Sequence, residues 1–519
     1  MTTLHTEVLV IGGGATGAGV LRDAAQRGFG AVLVERGDLA TGTTGRFHGL
    51  LHSGGRYAVK DPKTAAECIG ENRILRRIAA DCIEDTGGLF VTTPIDDPSY
   101  ADRFVVACRQ CDIPVEEIAV SEALRREPLL NPGISRAFVV PDAAVDSWKT
   151  VWATVRSAQE HGARILPYHE VLRLRRQGDA VAGAVVRDHR GGGEIDIQAA
   201  LVVNATGAWA GRIAGMAGCP VKVVPGKGIM IAMNHRLVNT VINRCTMPAD
   251  GDILVPIRTV SVIGTTDETV ADPDHWQITY DEVQQMLDAG ENLVPGFRGA
   301  RALRVWGGVR PLYQETEATD SRHVTRSHSL LDHSARDGVE RFLTITGGKF
   351  VTYRLMAEET VDAVCRQLGV DRRCRTADEA LPDSEPARYY WLGSRLERRE
   401  ETLHDDQLIC ECELIPRRPL EEAIRRRHTA DLDDIRRTLR LGMGPCQGGF
   451  CIYRATGILH GLERLSGAAA NRSLREFLEE RWRGVQPILY GDQMRQARYD
   501  VWVFQGLLDV EHAPVEPRT

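Results

Sequence analysis

The sequence contains no apolar run long enough to cross a bilayer, so we expect no membrane-spanning helix. The first strand-like run begins within ten residues of Met1, which predicts that there is no signal peptide. Net positive charge is also lacking: 64 Lys and Arg stand against 71 Asp and Glu, a formal charge of −7. This balance gives no bulk electrostatic reason to bind nucleic acid. The 519 residues, 43% hydrophobic, are enough for two or three domains with large cores.

Because no export signal is expected, the twelve cysteines should stay reduced rather than form disulfides. Cys108 and Cys111 form a C-x-x-C pair at the end of a segment with helical periodicity, and we interpret them as core residues rather than a redox or metal centre. Four other cysteines follow a separate pattern near the C-terminus, described below.

The stretch from Glu7 to Gly19 is the strongest motif in the chain. Residues 8–11 form an apolar run typical of a buried parallel strand, and Gly12, Gly14 and Gly17 follow at G-x-G-x-x-G spacing. These glycines permit a tight turn, close approach of backbone to a diphosphate, and close packing of helix on strand. The helix predicted over residues 15–27 would then direct its N-terminal N–H groups at the phosphates.

A second apolar strand over residues 31–34 ends at Glu35, 18 residues beyond Gly17. An acid at this position accepts hydrogen bonds from the ribose hydroxyls of an adenosine, and its charge disfavours a 2′-phosphate. NADP is therefore not expected, whereas NAD and FAD both remain open at this point.

Three later segments look suited to line the same cofactor. Residues 41–57 are rich in Gly, Thr and His and are interpreted as a loop threaded along a ring system. The strand ending in Asn204-Ala-Thr-Gly-Ala-Trp209 and the return through Gly347-Gly-Lys-Phe-Val-Thr352 are two more points where backbone faces a dinucleotide. Strand-like segments between them predict a second, mixed sheet, so the cofactor domain should be assembled from discontinuous pieces. Ser147 is predicted to cap an amphipathic helix in this region.

After a charged stretch with Pro382 and Pro386, interpreted as a linker or peripheral connection, four cysteines define a small third domain. Cys410 and Cys412 are separated by one residue, and Cys446 and Cys451 follow in a glycine-rich turn. Four thiolates suit zinc or an iron–sulfur cluster. The C-x-C spacing is tighter than the usual zinc knuckle, which favours [2Fe–2S] over zinc or unligated core cysteines.

Taken together, these motifs resemble the FAD-dependent glycerol-3-phosphate dehydrogenases, and in particular the A subunits of the bacterial anaerobic enzymes. The resemblance runs through VLVIGGGATGAG, TGTTGRFHGLLHSGGRYAV, VDSWKTVWA, NATGAWAG, GGVRPL, TITGGKFVTYRLMAE, the cysteine region and ERWRGVQPILYGD. It implies an α/β fold: a Rossmann-like FAD domain of the glutathione-reductase or amino-acid-oxidase type, an interleaved mixed-sheet substrate domain, and a small C-terminal ferredoxin-type [2Fe–2S] domain.

The resemblance also implies a domain division. An oxidoreductase over residues 1–370 would have FAD-binding segments at about 1–75, 140–220 and 335–370 and substrate-domain segments at about 76–139 and 221–334. A linker over 371–405, a cluster domain over 406–465 and a C-terminal extension over 466–519 would follow.

The activity implied is oxidation of sn-glycerol 3-phosphate to dihydroxyacetone phosphate, with FAD and a [2Fe–2S] cluster as cofactors. Companion subunits would receive the electrons and pass them to quinone. The chain would then be cytoplasmic and peripheral at the inner face of the cell membrane through those subunits.

Residue by residue, the resemblance places the substrate phosphate on Arg56, Arg310 and Arg326 and puts Lys349 beside the isoalloxazine ring, with Tyr57 lining the site. Single-subunit relatives read Lys-Gly-Ser-His where this chain reads Lys-Gly-Ile-Met over residues 227–230, so His52 is the candidate base and a structural role for it stays open. The residues expected at FAD are Gly12, Gly14, Ala15, Thr16, Gly17, Glu35, Arg36, Thr43, Thr44, Gly45, His48, Leu50, Thr206, Gly207, Trp209, Gly348, Lys349, Phe350, Val351 and Thr352. The cluster ligands expected are Cys410, Cys412, Cys446 and Cys451.

Two other functions stay open on the sequence alone. A related flavin oxidase or dehydrogenase of an amine or a 2-hydroxy acid would also use arginines, since they bind carboxylates. A non-catalytic electron-relay protein would carry the same cofactors without a substrate site.

Overall fold

The sheets and helices are taken from a computed structural model, which describes residues 2–313, 327–402, 406–427, 429, 431–463 and 465–516. In chain order the strands are β1 Thr2–Ile11, β2 Ala31–Glu35, β3 Leu50–Leu51, β4 Ile83–Glu84, β5 Gly88–Thr92, β6 Glu116–Ile118, β7 Arg136–Val140, β8 Ala143–Val145, β9 Arg164–Pro167, β10 His169–Gln177, β11 Ala180–Asp188, β12 Glu194–Asn204, β13 Val223–Met233, β14 Val241–Arg244, β15 Ile253–Ile257, β16 Val260–Gly264, β17 Glu268–Thr269, β18 Ala302–Tyr313, β19 His328–Asp332, β20 Phe342–Gly347, β21 Leu408–Cys410 and β22 Ile415–Pro416. The helices are α1 Ala15–Gln26, α2 Pro62–Ile78, α3 Tyr100–Gln110, α4 Val120–Arg126, α5 Ser147–Glu160, α6 Ala210–Gly215, α7 Tyr280–Leu293, α8 His333–Asp337, α9 Tyr353–Leu368, α10 Leu392–Thr402, α11 Arg417–Arg427, α12 Leu432–Leu439, α13 Ile452–Glu463, α14 Gly467–Val485 and α15 Asp492–Val501.

The first sheet is built on the predicted N-terminal strand. Its parallel centre has the order β20-β12-β1-β2-β9, and β10, β11 and β19 add antiparallel strands. Val8 on β1 is in register with Leu201 on one side and Ala31 on the other. Both faces of β1 are covered: Val8 and Val10 pack under α1, α5 and α9, and Leu9 and Ile11 lie in a second apolar cluster with residues of α6. Cover on both faces explains the uninterrupted apolar run.

The second sheet is mixed, as the sequence predicts. Its order is β17-β13-β16-β15-β14-β5-β7-β6, with β18 paired to β13, and only the β14–β5 pair among these strands is parallel. Helix α7 packs against it through Val283, Met286 and Leu287. The chain passes between the two sheets several times, so the predicted fold class of interleaved sheets is confirmed.

The first half of the predicted linker or peripheral connection packs against α1, which covers the first sheet. Leu381 is buried, and the buried guanidinium of Arg22 on α1 donates to the carbonyl oxygens of Thr376 (3.1 Å) and Glu379 (2.6 Å). A buried guanidinium needs hydrogen-bond acceptors. The segment with Thr376 and Glu379 therefore covers Arg22 and supplies two of them.

The C-terminal region forms its own hydrophobic core. The β21–β22 pair and helices α11, α12 and α13 surround Leu420, Ile435 and Ile452, and α14 closes this core with Phe477. Within the described residues, no helix combines the length and the apolar composition that a membrane crossing requires.

All twelve cysteines are free of disulfides. Cys108 and Cys111, at the end of α3, are both buried in a small apolar cluster with Phe104 and Phe138. Their interpretation as core residues is therefore confirmed.

Candidate functional site

A single cavity of about 1620 Å³ runs along the carboxyl ends of the parallel strands and into the second sheet. It is larger than the 300–1,000 Å³ typical of sites for small ligands, as expected for a dinucleotide and a substrate together. The predicted site residues that line it are Gly12, Gly14, Ala15, Thr16, Glu35, Arg36, Thr43, Thr44, Gly45, His48, Leu50, His52, Arg56, Tyr57, Thr206, Gly207, Trp209, Arg310, Gly348, Lys349 and Phe350.

At one part of this cavity the start of α1 is open to an anion. Gly14 is the N-cap of α1 and makes no side-chain capping bond, and the first turn contains no acidic residue. The hydroxyl of Thr44 accepts a hydrogen bond from the N–H of Ala15 at 3.0 Å and brings the loop over residues 41–57 against the helix start. The N-terminal N–H groups and the helix dipole therefore favour a diphosphate here, which fits the phosphate portion of FAD.

Gly17 lies behind this turn rather than on the cavity wall, and its role is packing. A Cβ atom at Gly17 would lie 1.9 Å from the carbonyl oxygen of Gly12, so the helix could not stay this close to β1. We expect Gly17→Ala to purify without flavin, as measured by the ratio of flavin to protein absorbance. Gly70→Ala on α2, where a Cβ would meet nothing within 4 Å, is the matched control and should retain FAD. Full flavin content in Gly17→Ala would contradict this account of the turn.

The adenosine end is organised by Glu35 at the end of β2. Its two carboxylate oxygens accept the N–H groups of Gly13 at 2.7 Å and Gly37 at 3.0 Å. Burial raises the pKa of Glu35, and these backbone N–H groups oppose that change. Each oxygen keeps a second lone pair, which suits ribose hydroxyl groups.

A stacked wall lies near this end. The guanidinium of Arg36 lies 4.5 Å from the ring centroid of Trp209. Asp274 accepts from Arg36 at 2.8 Å and from the indole N–H of Trp209 at 3.0 Å, which fixes both side chains. Asp274 had no motif that would identify it, because it lies 238 residues from Arg36 in the chain.

His48 is fixed inside the loop that follows the glycine turn. Its Nδ1 accepts the N–H of Leu50 at 3.2 Å, which places the ring proton on Nε2. Burial, assisted by the charges of Arg56 and Arg310, lowers the pKa of His48 to about 3. His48 is therefore neutral, and its Nδ1 is occupied by the hydrogen bond from the N–H of Leu50.

His52 differs from His48 because its ring has no hydrogen-bond partner among the residues that the structure describes. The ring lines the cavity, with its centroid 5.4 Å from that of Tyr57. Burial lowers the pKa of His52 well below its usual value, and the charges of Arg56 and Lys349 add to the effect. The imidazole is therefore neutral and keeps a nitrogen lone pair for a proton, but in this environment it is a weak base until negative charge binds nearby.

Cations surround this histidine. The Nζ of Lys349 lies 4.2 Å from the ring centroid of Tyr57, on the same side of the cavity. Arg56 forms an ion pair with the buried carboxylate of Asp252, and its Nη2 donates to the carbonyl oxygen of Ala249 at 3.1 Å. Asp252, which the sequence analysis did not identify, thus fixes the guanidinium at the cavity wall.

Arg310 on β18 is held by the segment after β16. Its guanidinium donates to the carbonyl oxygen of Thr266 at 2.8 Å, to the hydroxyl of Thr265, and to Asp267 at 3.0 Å. A Cβ at Gly228 would lie 2.5 Å from Nη2 of Arg310, so glycine leaves room for this arrangement. Arg326 lies outside the described residues.

Val351 and Thr352 were expected at FAD, but their side chains lie behind the cavity wall. Val351 is buried in the core of the first sheet. The hydroxyl of Thr352 accepts the N–H of Lys349 at 3.2 Å and donates to its carbonyl oxygen at 3.1 Å. Thr352 therefore positions Lys349, a role that the glycine-rich spacing does not reveal.

The four predicted cluster cysteines come together in the C-terminal region. The Sγ atoms of Cys412 and Cys446 are 3.6 Å apart, and Cys410 shares a side-chain hydrogen bond with Cys451. The bond from Cys412, with N–H groups of Gly448 and Phe450, lowers the pKa of Cys446 to about 6. This environment stabilises thiolate, the form that ligates metal.

The sulfur atoms form two pairs rather than one tetrahedron. Among the described residues, the only group of three or more potential ligands within 4.8 Å of one another is Cys219, His333 and Asp337, so no three of the four cysteines meet at that distance. A single zinc ion would need all four sulfurs at about 2.3 Å from one centre. Two pairs fit the two iron atoms of a [2Fe–2S] cluster.

The cluster region docks on the flavin half through charged contacts. Arg437 on α12 donates to the buried carboxylate of Asp38 at 2.7 Å, and Asp434 accepts from Arg190 at 2.8 Å. The cavity extends into this seam as far as Met443 and Gln447, the latter adjacent to Cys446. The arginines of the seam belong to no sequence motif.

Comparison with known proteins matches two parts of the chain to known families. Residues 7–362 match the FAD dependent oxidoreductase family, and residues 408–460 match the BFD-like [2Fe-2S] binding domain. Over 98% of this chain and 97% of the relative, the sequence is 46% identical to the A subunit of anaerobic glycerol-3-phosphate dehydrogenase from Escherichia coli (strain K12). It is 44% identical to the A1 subunit of that enzyme from Haloferax volcanii, over 94% of this chain and 88% of the relative.

Solved structures support the fold. The FAD complex of glycerol-3-phosphate dehydrogenase from Bacillus halodurans superposes with a TM-score of 0.59 at 21% identity, covering 98% of this chain and 95% of that one. Glycine oxidase from Geobacillus kaustophilus gives a TM-score of 0.56 at 21% identity, covering 74% and 100%. Both cofactors predicted from the sequence, FAD and [2Fe–2S], are confirmed by the family matches.

Proposed function

Because the chain belongs to the FAD dependent oxidoreductases and, among them, to the A subunits of anaerobic glycerol-3-phosphate dehydrogenase, we propose that it oxidises sn-glycerol 3-phosphate to dihydroxyacetone phosphate. The observation that carries this proposal is a neutral His52, without a side-chain hydrogen bond to any residue that the structure describes, placed among arginine and lysine side chains in the cavity that holds the FAD cradle. The domain division predicted from the sequence is part of the proposal.

The cation set suits a phosphorylated alcohol. Guanidinium groups bind phosphate oxygens through paired N–H donors, and both Arg56 and Arg310 are fixed on the wall of one cavity. Arg326 is proposed as a third anchor from the family resemblance. The dianion, once bound, also offsets the positive charges that lower the pKa of His52, so substrate binding improves His52 as a base.

His52 is proposed to take the proton of the C2 hydroxyl. A candidate base needs a free nitrogen within reach of the substrate, and His48 has already used its Nδ1 to accept from Leu50. Lys349 is proposed to stabilise negative charge on the ring system through its ammonium group. When bound, FAD supplies the acceptor for the C2 hydride and can release two electrons singly.

Arg310→Ala is expected to weaken substrate binding. Loss of a charge-assisted bond to phosphate costs about 1.5–3 kcal/mol, so KM should rise by roughly 10–150-fold. The measurement is the substrate dependence of flavin reduction without oxygen. The matched control is Arg298→Ala, which removes an arginine that pairs with Asp288 outside the cavity and should leave KM unchanged. An unchanged KM in Arg310→Ala would remove this residue from the phosphate anchor.

The electrons are proposed to leave through the cluster held by Cys410, Cys412, Cys446 and Cys451, which supplies one-electron transfer when present. Two exposed aromatic side chains lie next to Cys451 in the chain: Phe450 is 48% exposed and Tyr453 40%. Such a surface suits a companion protein. We propose that companion subunits carry the electrons to quinone and hold the chain peripherally at the inner face of the cell membrane, since the relatives are named as one subunit of an enzyme.

One titration separates this proposal from its alternatives. Glycerol 3-phosphate added without oxygen should bleach the flavin absorbance of the purified protein, whereas sarcosine and 2-hydroxyglutarate should not. Bleaching by either of the latter alone would favour an amine or 2-hydroxy acid dehydrogenase. A flavin that no substrate bleaches would favour a non-catalytic electron-relay protein.

A further inference from the structure

The seam between the flavin half and the C-terminal region contains more arginines than its carboxylates can pair. Arg46, Arg304, Arg436 and Arg481 all line the part of the cavity that enters this seam. Arg304 donates to Glu480 at 2.5 Å, and Arg436 donates to Asp433 at 2.6 Å. Glu480 and Asp433 are therefore engaged, and among the described residues Asp500, the other carboxylate whose charge reaches Arg481, accepts a hydrogen bond from Gln496 rather than from an arginine.

Arg46 and Arg481 are the other two arginines of this group. In the described part of the chain, neither side chain makes a hydrogen bond or an ion pair. Arg481 on α14 is only 7% exposed, and its Nη2 is buried without any partner. Arg46 extends into the cavity, where it stays accessible although protein surrounds it. Burial and the neighbouring charges of Arg304 and Arg436 lower the pKa of Arg481 well below its usual value.

A buried cation without a partner is costly, and guanidinium does not release its proton readily. Three carboxylates, those of Glu480, Asp433 and Asp500, face the four arginines of the seam, so one further anion from outside the polypeptide would balance their charge. Two guanidinium groups facing one cavity bind phosphate oxygens well, because each offers a planar set of N–H donors.

The position of Arg46 indicates which anion is near. It follows Thr44 by two residues, and the hydroxyl of Thr44 accepts from Ala15 in the first turn of α1. That helix start is the part of the cavity that favours a diphosphate. Arg46 extends from the same loop toward Glu480 and Arg436 on the C-terminal side, and the charges of these two residues also act on Arg481.

We propose that Arg46 and Arg481 form a phosphate-binding site in the seam, which closes the C-terminal region over the FAD cavity. The phosphate has two possible sources that share this chemistry: the diphosphate of FAD itself, or a free phosphate or diphosphate bound beside FAD. In either case the anion contacts both the flavin half and the C-terminal region, in addition to the direct ion pair between Asp38 and Arg437. The inference needs only FAD binding and is independent of the substrate proposed above.

The test compares Arg481→Gln with Arg483→Gln, which removes the same charge two residues away at a side chain that is 76% exposed. Three quantities are measured without substrate: the melting temperature of the apoprotein, the dissociation constant of FAD, and the melting temperature of the FAD-loaded protein with added inorganic phosphate or pyrophosphate. Arg481→Gln should raise the melting temperature of the apoprotein, because it removes an uncompensated cation.

If FAD is the source, Arg481→Gln should weaken FAD binding by about tenfold or more, while Arg483→Gln leaves it unchanged. If the anion is free, FAD affinity should persist, and stabilisation of the loaded wild-type protein by phosphate or pyrophosphate should disappear in Arg481→Gln. Arg46→Gln removes the other guanidinium, which is accessible, and the same quantities are measured for it. This variant keeps the test possible if Arg481→Gln does not fold. Wild-type FAD affinity in both variants, together with no phosphate stabilisation of the loaded protein, would overturn the proposal. Because no substrate is present, that result would leave the proposed dehydrogenase activity untouched.

Discussion

Replacing His52 with glutamine is expected to slow flavin reduction by glycerol 3-phosphate by roughly 10²–10⁴-fold, the usual contribution of a positioned general base. The neutral imidazole lines the cavity and makes no hydrogen bond within the described ranges of the chain, and glutamine keeps a similar size without basicity. The rate is measured by following flavin absorbance after rapid mixing without oxygen, at saturating substrate.

His48→Gln is the informative control for that experiment. His48 accepts the N–H of Leu50 and supports the loop on which FAD is expected to lie. Its replacement should lower FAD content, while each flavin that stays bound is reduced at close to the wild-type rate. If His48→Gln slows reduction and His52→Gln does not, the assignment of the base is wrong.

The sequence was sufficient where function depends on local backbone. The turn after β1, the acid at the end of β2 and the glycines before Lys349 each require a residue type at a fixed short spacing, so they can be identified from one chain. The same holds for the C-x-C pair, whose tight spacing excludes the usual zinc knuckle. The helix cap at α5 shows the limit of such prediction, because Asp146 rather than Ser147 accepts the N–H of Lys149.

Long-range partners could not be predicted in this way. Asp252 pairs with Arg56 across 196 residues, and the segment with Thr266 and Asp267 meets Arg310 through sheet pairing of β13 with both β16 and β18. Each of these contacts depends on strand order, and strand order is a property of the whole sheet. The arginines of the seam likewise could not be assigned to the cavity from the sequence, because their position depends on how α12 and α14 pack against it.

The cluster region shares one cavity with the FAD cradle. The glycine turn lines one part of this cavity and Met443 and Gln447 line another, and Gln447 follows Cys446 in the chain. In the proposed function this cavity connects substrate oxidation with one-electron exit, and the ion pair between Arg437 and Asp38 holds the two halves together. A substitution that removes the cluster should therefore separate the two steps without altering the first.

Cys446→Ser is expected to separate them. A serine hydroxyl ligates iron far less well than a thiolate, so iron and acid-labile sulfide should fall to background while FAD content is unchanged. Glycerol 3-phosphate should still bleach the flavin at close to the wild-type rate, because Cys446 lies beside Cys412 in the C-terminal region, whereas His52, Arg56 and Arg310 line the cavity. Transfer from reduced flavin to quinone, measured with companion subunits in membranes, should be lost. Cys374→Ser, which removes a half-buried cysteine beside Thr376, should leave both steps intact. Wild-type quinone reduction by cluster-free Cys446→Ser would show that electrons leave the flavin by another route.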